Sequence, residues 1–312
     1  MSKFVIIPDS ASDLTADLMN TYNIPEIIPL TLTVNGKEYP SATGDWTGIT
    51  SKEFYELLKN KTTHVSSGAP SPEKCMDIYE KYLKQGSDVL IVTISSALSA
   101  TYSFACRAKE ELQIKYPDRK IMVLDSKRYS TAELLLIINA GRLQQQGKSI
   151  EETYEELLRI REHLHQAGPM DDLMFLASKG RISNGKAFMG TIIGINPIGE
   201  VNNEGLTKVL CKVKGSKKAL RVCVEYMKRT IIDPTNQTVV IAHSNREEKA
   251  NLYRSMIEQE IQPKEIIMTE VGMACAPNIG PGLCAAYYYG TELSSNLEKE
   301  KAIFDSITKT KK

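Results

Sequence analysis

No apolar run in the sequence is long enough to cross a membrane. Leu134–Ala140 and Met189–Ile195 are among the longest, and a spanning helix needs roughly 20 such residues. Paired cysteines are missing too: Cys75, Cys106, Cys211, Cys223, Cys275 and Cys284 are scattered with no C-x-x-C among them, which argues against a zinc site and fits reduced thiols in a cytosolic protein. There is no charge surplus, since 39 Lys plus Arg against 38 Asp plus Glu leave +1, so composition gives no support for nucleic-acid binding. At the start, only Phe4–Pro8 are apolar before an aspartate, too few for a signal-peptide core, and the expected location is the cytoplasm.

What is present is the balance of a soluble globular protein, 42% hydrophobic and 25% charged over 312 residues, a length that suits two domains. Strand and helix signals alternate through the first half. Lys3–Pro8 reads as a strand, and Ile27–Val34 meets the hairpin dipeptide Asn35-Gly36. Thr50 and Glu53 form a capping box, and Ser71-Pro72 caps a long amphipathic helix. Asp88–Ile94 is unbroken and apolar, as a strand covered on both faces would be, and Lys120–Leu124 repeats it. Helices are expected at Thr131–Gln146 and, after a Ser149/Glu152 capping box, through His165. This rhythm implies a parallel, doubly wound α/β domain over residues 1–166.

Residues 167–312 read as a mixed α/β domain. A brief strand is expected at Met174–Ala177, a hairpin over Ile195–Cys211 around Asn202–Gly205, a basic helix at Ser216–Thr230, and then strand, helix, strand and strand to Tyr289.

Three polar loops stand out: Asp9–Asp13, Ser66–Pro72 and Ser95–Tyr102. In a doubly wound sheet such loops collect beyond the carboxyl ends of the strands, where hydroxyls and helix N-terminal amides suit an anion, a carboxylate as well as a phosphate. The simplest role of most of these serines and aspartates is a cap or a turn. Ser99 differs, because the spacing puts it inside the first helical turn. Gly180–Ala187 nearly matches a P-loop but ends in Ala187, with no hydroxyl for Mg²⁺. No G-x-S-x-G elbow occurs. Of the four histidines, His163 and His165 fall on the expected helix, His64 in a Thr-rich loop, and His243 at a strand end. Ligand-holding groups therefore outnumber bond-breaking ones, although a serine-dependent hydrolase using Ser96 or Ser99 and a small-anion-binding protein remain alternatives.

Taken together, IIPDSASDL (Ile6–Leu14), IPEIIPLTLTVNGKEY (Ile24–Tyr39), SGAPSP (Ser67–Pro72), ISSALSATY (Ile94–Tyr102), VLDS (Val123–Ser126), KGRIS (Lys179–Ser183), INPIGEVNNEG (Ile195–Gly205) and IGPG (Ile279–Gly282) resemble the DegV family of bacterial fatty-acid-binding proteins, which includes the carrier subunits of fatty acid kinase. The resemblance implies a two-domain fold with a long-chain fatty acid held between the domains. Ser67 and Ser99 would contact its carboxylate, with Asn278 standing where many members have histidine; Asp9, Ser10, Gly68, Ser96, Ala97, Leu98 and Gly280 would line the site. An apolar tunnel would draw on Phe188, Met189, Ile192, Ile193, Ile195, Ile198, Met273 and Leu283, residues that would otherwise be ordinary core. It also implies an ATP-binding kinase subunit as partner, docking near Lys214 and Lys217. The carrier would need no cofactor or metal and perform no catalysis of its own. Asparagine at 278 donates a hydrogen bond but does not titrate. Two smaller departures are Ala100, in place of a glycine after Ser99, and Ser178, which breaks the lysine–glycine–glycine run before Arg181.

Overall fold

The computed structural model describes residues 3–41, 44–46, 48–60, 62–171, 173–183 and 194–309. Phe188, Met189, Ile192 and Ile193 fall outside these, as do residues 184–187 of the P-loop-like segment. The chain forms two compact units, Met1–Arg161 with Gly272–Cys275, and Glu162–Val271 with Ala276–Lys312. It is mixed α/β, with one parallel and one mixed sheet besides a small antiparallel one.

In the first unit, β1 (Phe4–Pro8), β5 (Asp88–Thr93) and β6 (Ile121–Asp125) form a parallel sheet with β5 in the centre. Every residue of β5 is buried, which explains its unbroken apolar sequence. Ile7, Val89, Ile91, Ile121 and Val123 pack against α3 (Pro72–Leu83) and α4 (Thr101–Lys115). On the alternate positions Ile6, Leu90, Val92 and Leu124 are equally buried, and α5 (Thr131–Gln145) and α6 (Ile150–Arg161) supply the other contacts to these strands.

A separate antiparallel sheet joins β2 (Leu30–Val34) to β3 (Lys37–Ser41) and β4 (Val65–Gly68). The β2–β3 turn is Asn35-Gly36, with φ of 49° and 81°, as a two-residue hairpin requires. Two short helices complete the unit, α1 (Ala16–Thr21) and α2 (Ser51–Lys59), the latter opened by the Thr50/Glu53 box with both reciprocal bonds made.

The second unit is built on a six-stranded mixed sheet, ordered β11 (Glu265–Glu270), β10 (Thr238–His243), β12 (Cys284–Tyr289), β7 (Leu164–Pro169), β8 (Ile195–Val201) and β9 (Thr207–Lys214); only β10 and β11 are parallel. Against it lie α8 (Ser216–Thr230), α9 (Glu247–Glu260) and α11 (Glu298–Lys309), which share one core.

Two local expectations need correction. The helix before residue 166 stops at Arg161, so His165 lies in the buried strand β7 and His163 just before it. Met174–Ser178 is a short helix, α7, rather than a strand; an apolar run of that length has no periodicity to distinguish the two.

Candidate functional site

The loop after β5 is held from behind by a carboxylate. Asp9 follows β1 directly and is fully buried. One of its oxygens accepts the Ala11 amide and the other the Ile94 amide, both at 2.8 Å. It thus ties the turn Ser10–Ser12 to the root of the Ser95–Ser99 loop. Burial pushes its carboxyl up to about 7 against the pull of those two amides. Ser10 is nearly buried as well, its hydroxyl accepting the Leu30 amide at 2.9 Å. Asp9 and Ser10 therefore act on the loops by shaping them.

Beyond Ile94, Ser95 takes Leu98 and Ser99 amides on its carbonyl. Ser99 is not inside the first helical turn: α4 starts at Thr101, and the Ser99 hydroxyl lies 2.9 Å from that of Thr101 and accepts the Thr101 amide at 3.3 Å. Ala100, at the N-cap position, offers no side-chain cap. The 15-residue helix thus opens with amides that its own residues do not cap, and a half-buried hydroxyl stands beside them. Negative charge is favoured at such a place.

Ser96 points elsewhere. Its hydroxyl lies 2.5 Å from Asp125 at the end of β6 and 3.1 Å from the Lys127 ammonium, which is itself 3.0 Å from Asp125. Burial would raise the Asp125 carboxyl, but hydrogen bonds from Ser96 and Lys127 outweigh it and hold the group below its usual range. Neither neighbour is a free base for Ser96.

A second carboxylate cluster gathers around Asp13. Asp13, with a left-handed φ of 56°, accepts the Gly272 amide at 2.8 Å and the Ser130 hydroxyl. A Cβ on Gly44 would stand 2.4 Å from the Asp13 carbonyl oxygen, so only glycine fits there. Burial pushes Asp13 up to about 7 as well. Ser130-Thr131-Ala132-Glu133 has the form of a capping box, yet Ser130 sits at φ 54°, ψ −138° and caps nothing. Its hydroxyl is committed to Asp13, and a backbone state of this kind costs about 1–3 kcal/mol unless its surroundings enforce it. Glu133, deprived of its box partner, is fully buried with neither oxygen hydrogen-bonded. The sequence signal was the S-x-x-E spacing itself, which reads as an ordinary helix start.

The other expected residues fall on several elements of the two units. Ser67 belongs to strand β4, paired with Leu32, instead of to a loop; it is half-buried, and Gly68 beside it faces open space. Ala97 is exposed and Leu98 half-exposed in the loop after β5. In the second unit, Asn278 is half-buried on the short helix α10 (Ala276–Ile279). Gly280 follows with φ 70°, and a Cβ there would stand 2.2 Å from the Phe175 ring. Ile195 opens β8 half-buried, and Met273 belongs to the segment Gly272–Cys275 of the first unit. Lys214 and Lys217 flank the start of α8, both exposed. Among the described residues no group of His, Cys, Asp and Glu is arranged to hold a metal ion, and no helix is long and apolar enough to cross a membrane.

The model of the DegV family, a family of uncharacterised proteins, matches residues 3–291. The chain belongs to the DegV family. A DegV domain-containing protein of Clostridium perfringens is 32% identical over 290 residues, covering 93% of this chain and 98% of the relative. One from Caldanaerobacter subterraneus is 32% identical over 292 residues, 92% and 99% of the two chains. Among solved structures, a Thermus thermophilus DegV protein described as fatty-acid-binding superposes with a TM-score of 0.80 at 26% identity over 92% and 99% of the chains. The B3 protein of the Streptococcus pneumoniae fatty acid kinase, loaded with linoleic acid, gives 0.77 at 22% identity, again over 92% and 99%. This DegV chain thus shares its fold with proteins seen holding fatty acids.

Proposed function

We propose that the chain is a fatty-acid carrier whose head-group site lies at the opening of α4. The observation that carries this reading is the uncapped helix start beside the Ser99 hydroxyl, held in place through Asp9 and Ile94 in a chain of the DegV family. Ser67 and Asn278 would complete the carboxylate contacts, with residues 1–166 supplying the head-group loops. Residues 167–312 would supply much of an acyl tunnel through Phe188, Ile192, Ile193 and Ile195, joined by Met273.

Magnitudes divide the work. Each buried methylene contributes about 0.8 kcal/mol, so a long chain offers on the order of 10 kcal/mol before ordering costs. A hydrogen bond to the charged head adds about 1.5–3 kcal/mol. The tail sets affinity, and the head group sets which end faces out. Ser99→Ala is expected to weaken fatty-acid binding about ten- to a hundred-fold. Native purification followed by extraction and mass spectrometry tests the reading directly: a co-purifying fatty acid supports it, whereas none, with no uptake of added acid, sinks it.

The finer role, presenting the carboxylate to an ATP-binding kinase subunit for acyl-phosphate formation, is supported by Lys214 and Lys217, which are exposed and make no ion pair among the described residues. Lys214→Glu with Lys217→Glu should leave fatty-acid binding intact and abolish phosphorylation by a cognate kinase. A serine hydrolase is disfavoured because the two groups that bond the Ser96 hydroxyl among the described residues, Asp125 and Lys127, are ion-paired to each other.

A further inference from the structure

Three carboxyl groups, those of Asp9, Asp13 and Glu133, are buried within electrostatic reach of one another in the first unit, and they are not equivalent. Asp9 has two hydrogen-bond donors and Asp13 has three, Gly272, Ser130 and Thr131, while Glu133 has none for either oxygen. The charges that Glu133 feels are Asp9 and Asp13 from the stretch after β1 and Asp125 from the end of β6, all of one sign. Cys275, from the segment that returns to this unit, is fully buried beside the same carboxyls, and burial pushes its thiol up, so it brings no positive charge. The start of α5 favours an anion at Glu133 only weakly. A buried carboxylate with no donor and three like charges nearby is far more costly than a neutral acid. With no metal-holding group among the described residues, the ligand this side chain can take is a proton.

We propose that Glu133 is the proton-operated latch of this unit: while it carries its proton, Asp9 and Asp13 hold the Ser10–Ser12 turn, the root of the Ser95–Ser99 loop and the Gly272–Cys275 segment in place, and loss of that proton sets three buried like charges against one another and loosens all three. The latch closes at low pH and opens as pH rises. It needs no assumption about the ligand; only its consequence, easier release of a bound carboxylate at high pH, rests on the fatty-acid reading.

Amide hydrogen exchange of the full chain, without added fatty acid, tests it. Between pH 6 and 9.5, after correction for intrinsic exchange, protection at Ile94–Ser99 and Gly272–Cys275 should fall about tenfold or more, while Thr238–His243 in the second unit stays unchanged. In Glu133→Gln, which keeps the shape but does not ionise, the fall at the two segments should be clearly smaller, leaving only what the titration of Asp9 and Asp13 near 7 contributes. An equal fall in both proteins, or none in the wild type, overturns the proposal. Should the variant fail to fold, infrared spectra of wild-type protein with ¹³C-labelled glutamate at pH 7.5 decide instead: a protonated glutamic acid band supports the latch, and its absence overturns it.

Discussion

Each unit buries a polar network, and the two are built on opposite terms. In the second unit, His165 on β7 places Nε2 2.7 Å from the Thr291 carbonyl, so that nitrogen carries a hydrogen. Its Nδ1 lies 2.9 Å from the Tyr226 hydroxyl and 3.2 Å from Glu200. The second Glu200 oxygen accepts the amides of Gln166 and Val201. Tyr288 stacks on the imidazole and bonds Thr230 in turn. Every polar atom there has a partner, which is the condition for a buried network to rigidify a core. In the first unit Glu133 has none, and its neighbours repel its charge. A satisfied network fixes one arrangement, whereas an unsatisfied one is stable only in one protonation state.

That contrast can be broken at several points. Glu200→Ala should have the largest effect, because it strands the Gln166 and Val201 amides and the Tyr226 hydroxyl; a loss of about 3–5 kcal/mol is expected in urea unfolding. Asp13→Ala removes one acceptor from Gly272 and one from Ser130, and should cost about 1–3 kcal/mol, read as lost protection of Gly272–Cys275.

A pH series sharpens the comparison further. Asp9 and Asp13 are raised from 3.8 to about 7, so the folded state binds more protons than the unfolded one between those values. Their contribution is fully present below about 3.8 and is lost as pH rises through 7. Unfolding midpoints should therefore fall between pH 5 and 8, and Asp9→Asn should show a shallower fall. The smallest change is expected at the intact capping box, where Thr50→Ala should cost about 1 kcal/mol at every pH in that range.

The two S/T-x-x-E starts show how far sequence alone reaches. Thr50–Glu53 and Ser130–Glu133 carry the same spacing, and only the first forms the box. Thr50 is exposed, so nothing competes for its hydroxyl; Ser130 is buried beside Asp13, which takes it. Ser99 is legible as a hydroxyl at a helix opening, though its place before the helix is not, because the helix start depends on how Asp9 anchors the chain at Ile94. Leu164–Pro169 carries polar residues that suit a helix face, yet it forms a strand paired with β12 and β8, where packing outweighs propensity.

From its residues alone, the chain determined its local elements with short-range causes: the Asn35-Gly36 hairpin, the Thr50 and Ser71 caps, the buried strand at Asp88–Thr93, and a run of motifs sufficient to indicate its family. Tertiary structure alone decided that Gly272–Cys275 returns to the first unit, that Ser130 serves Asp13 instead of its own helix, and that Glu133 is left without a donor. The physical reason is range: caps and turns are settled within a few residues, whereas the partners of a buried carboxyl are supplied by segments more than a hundred residues away.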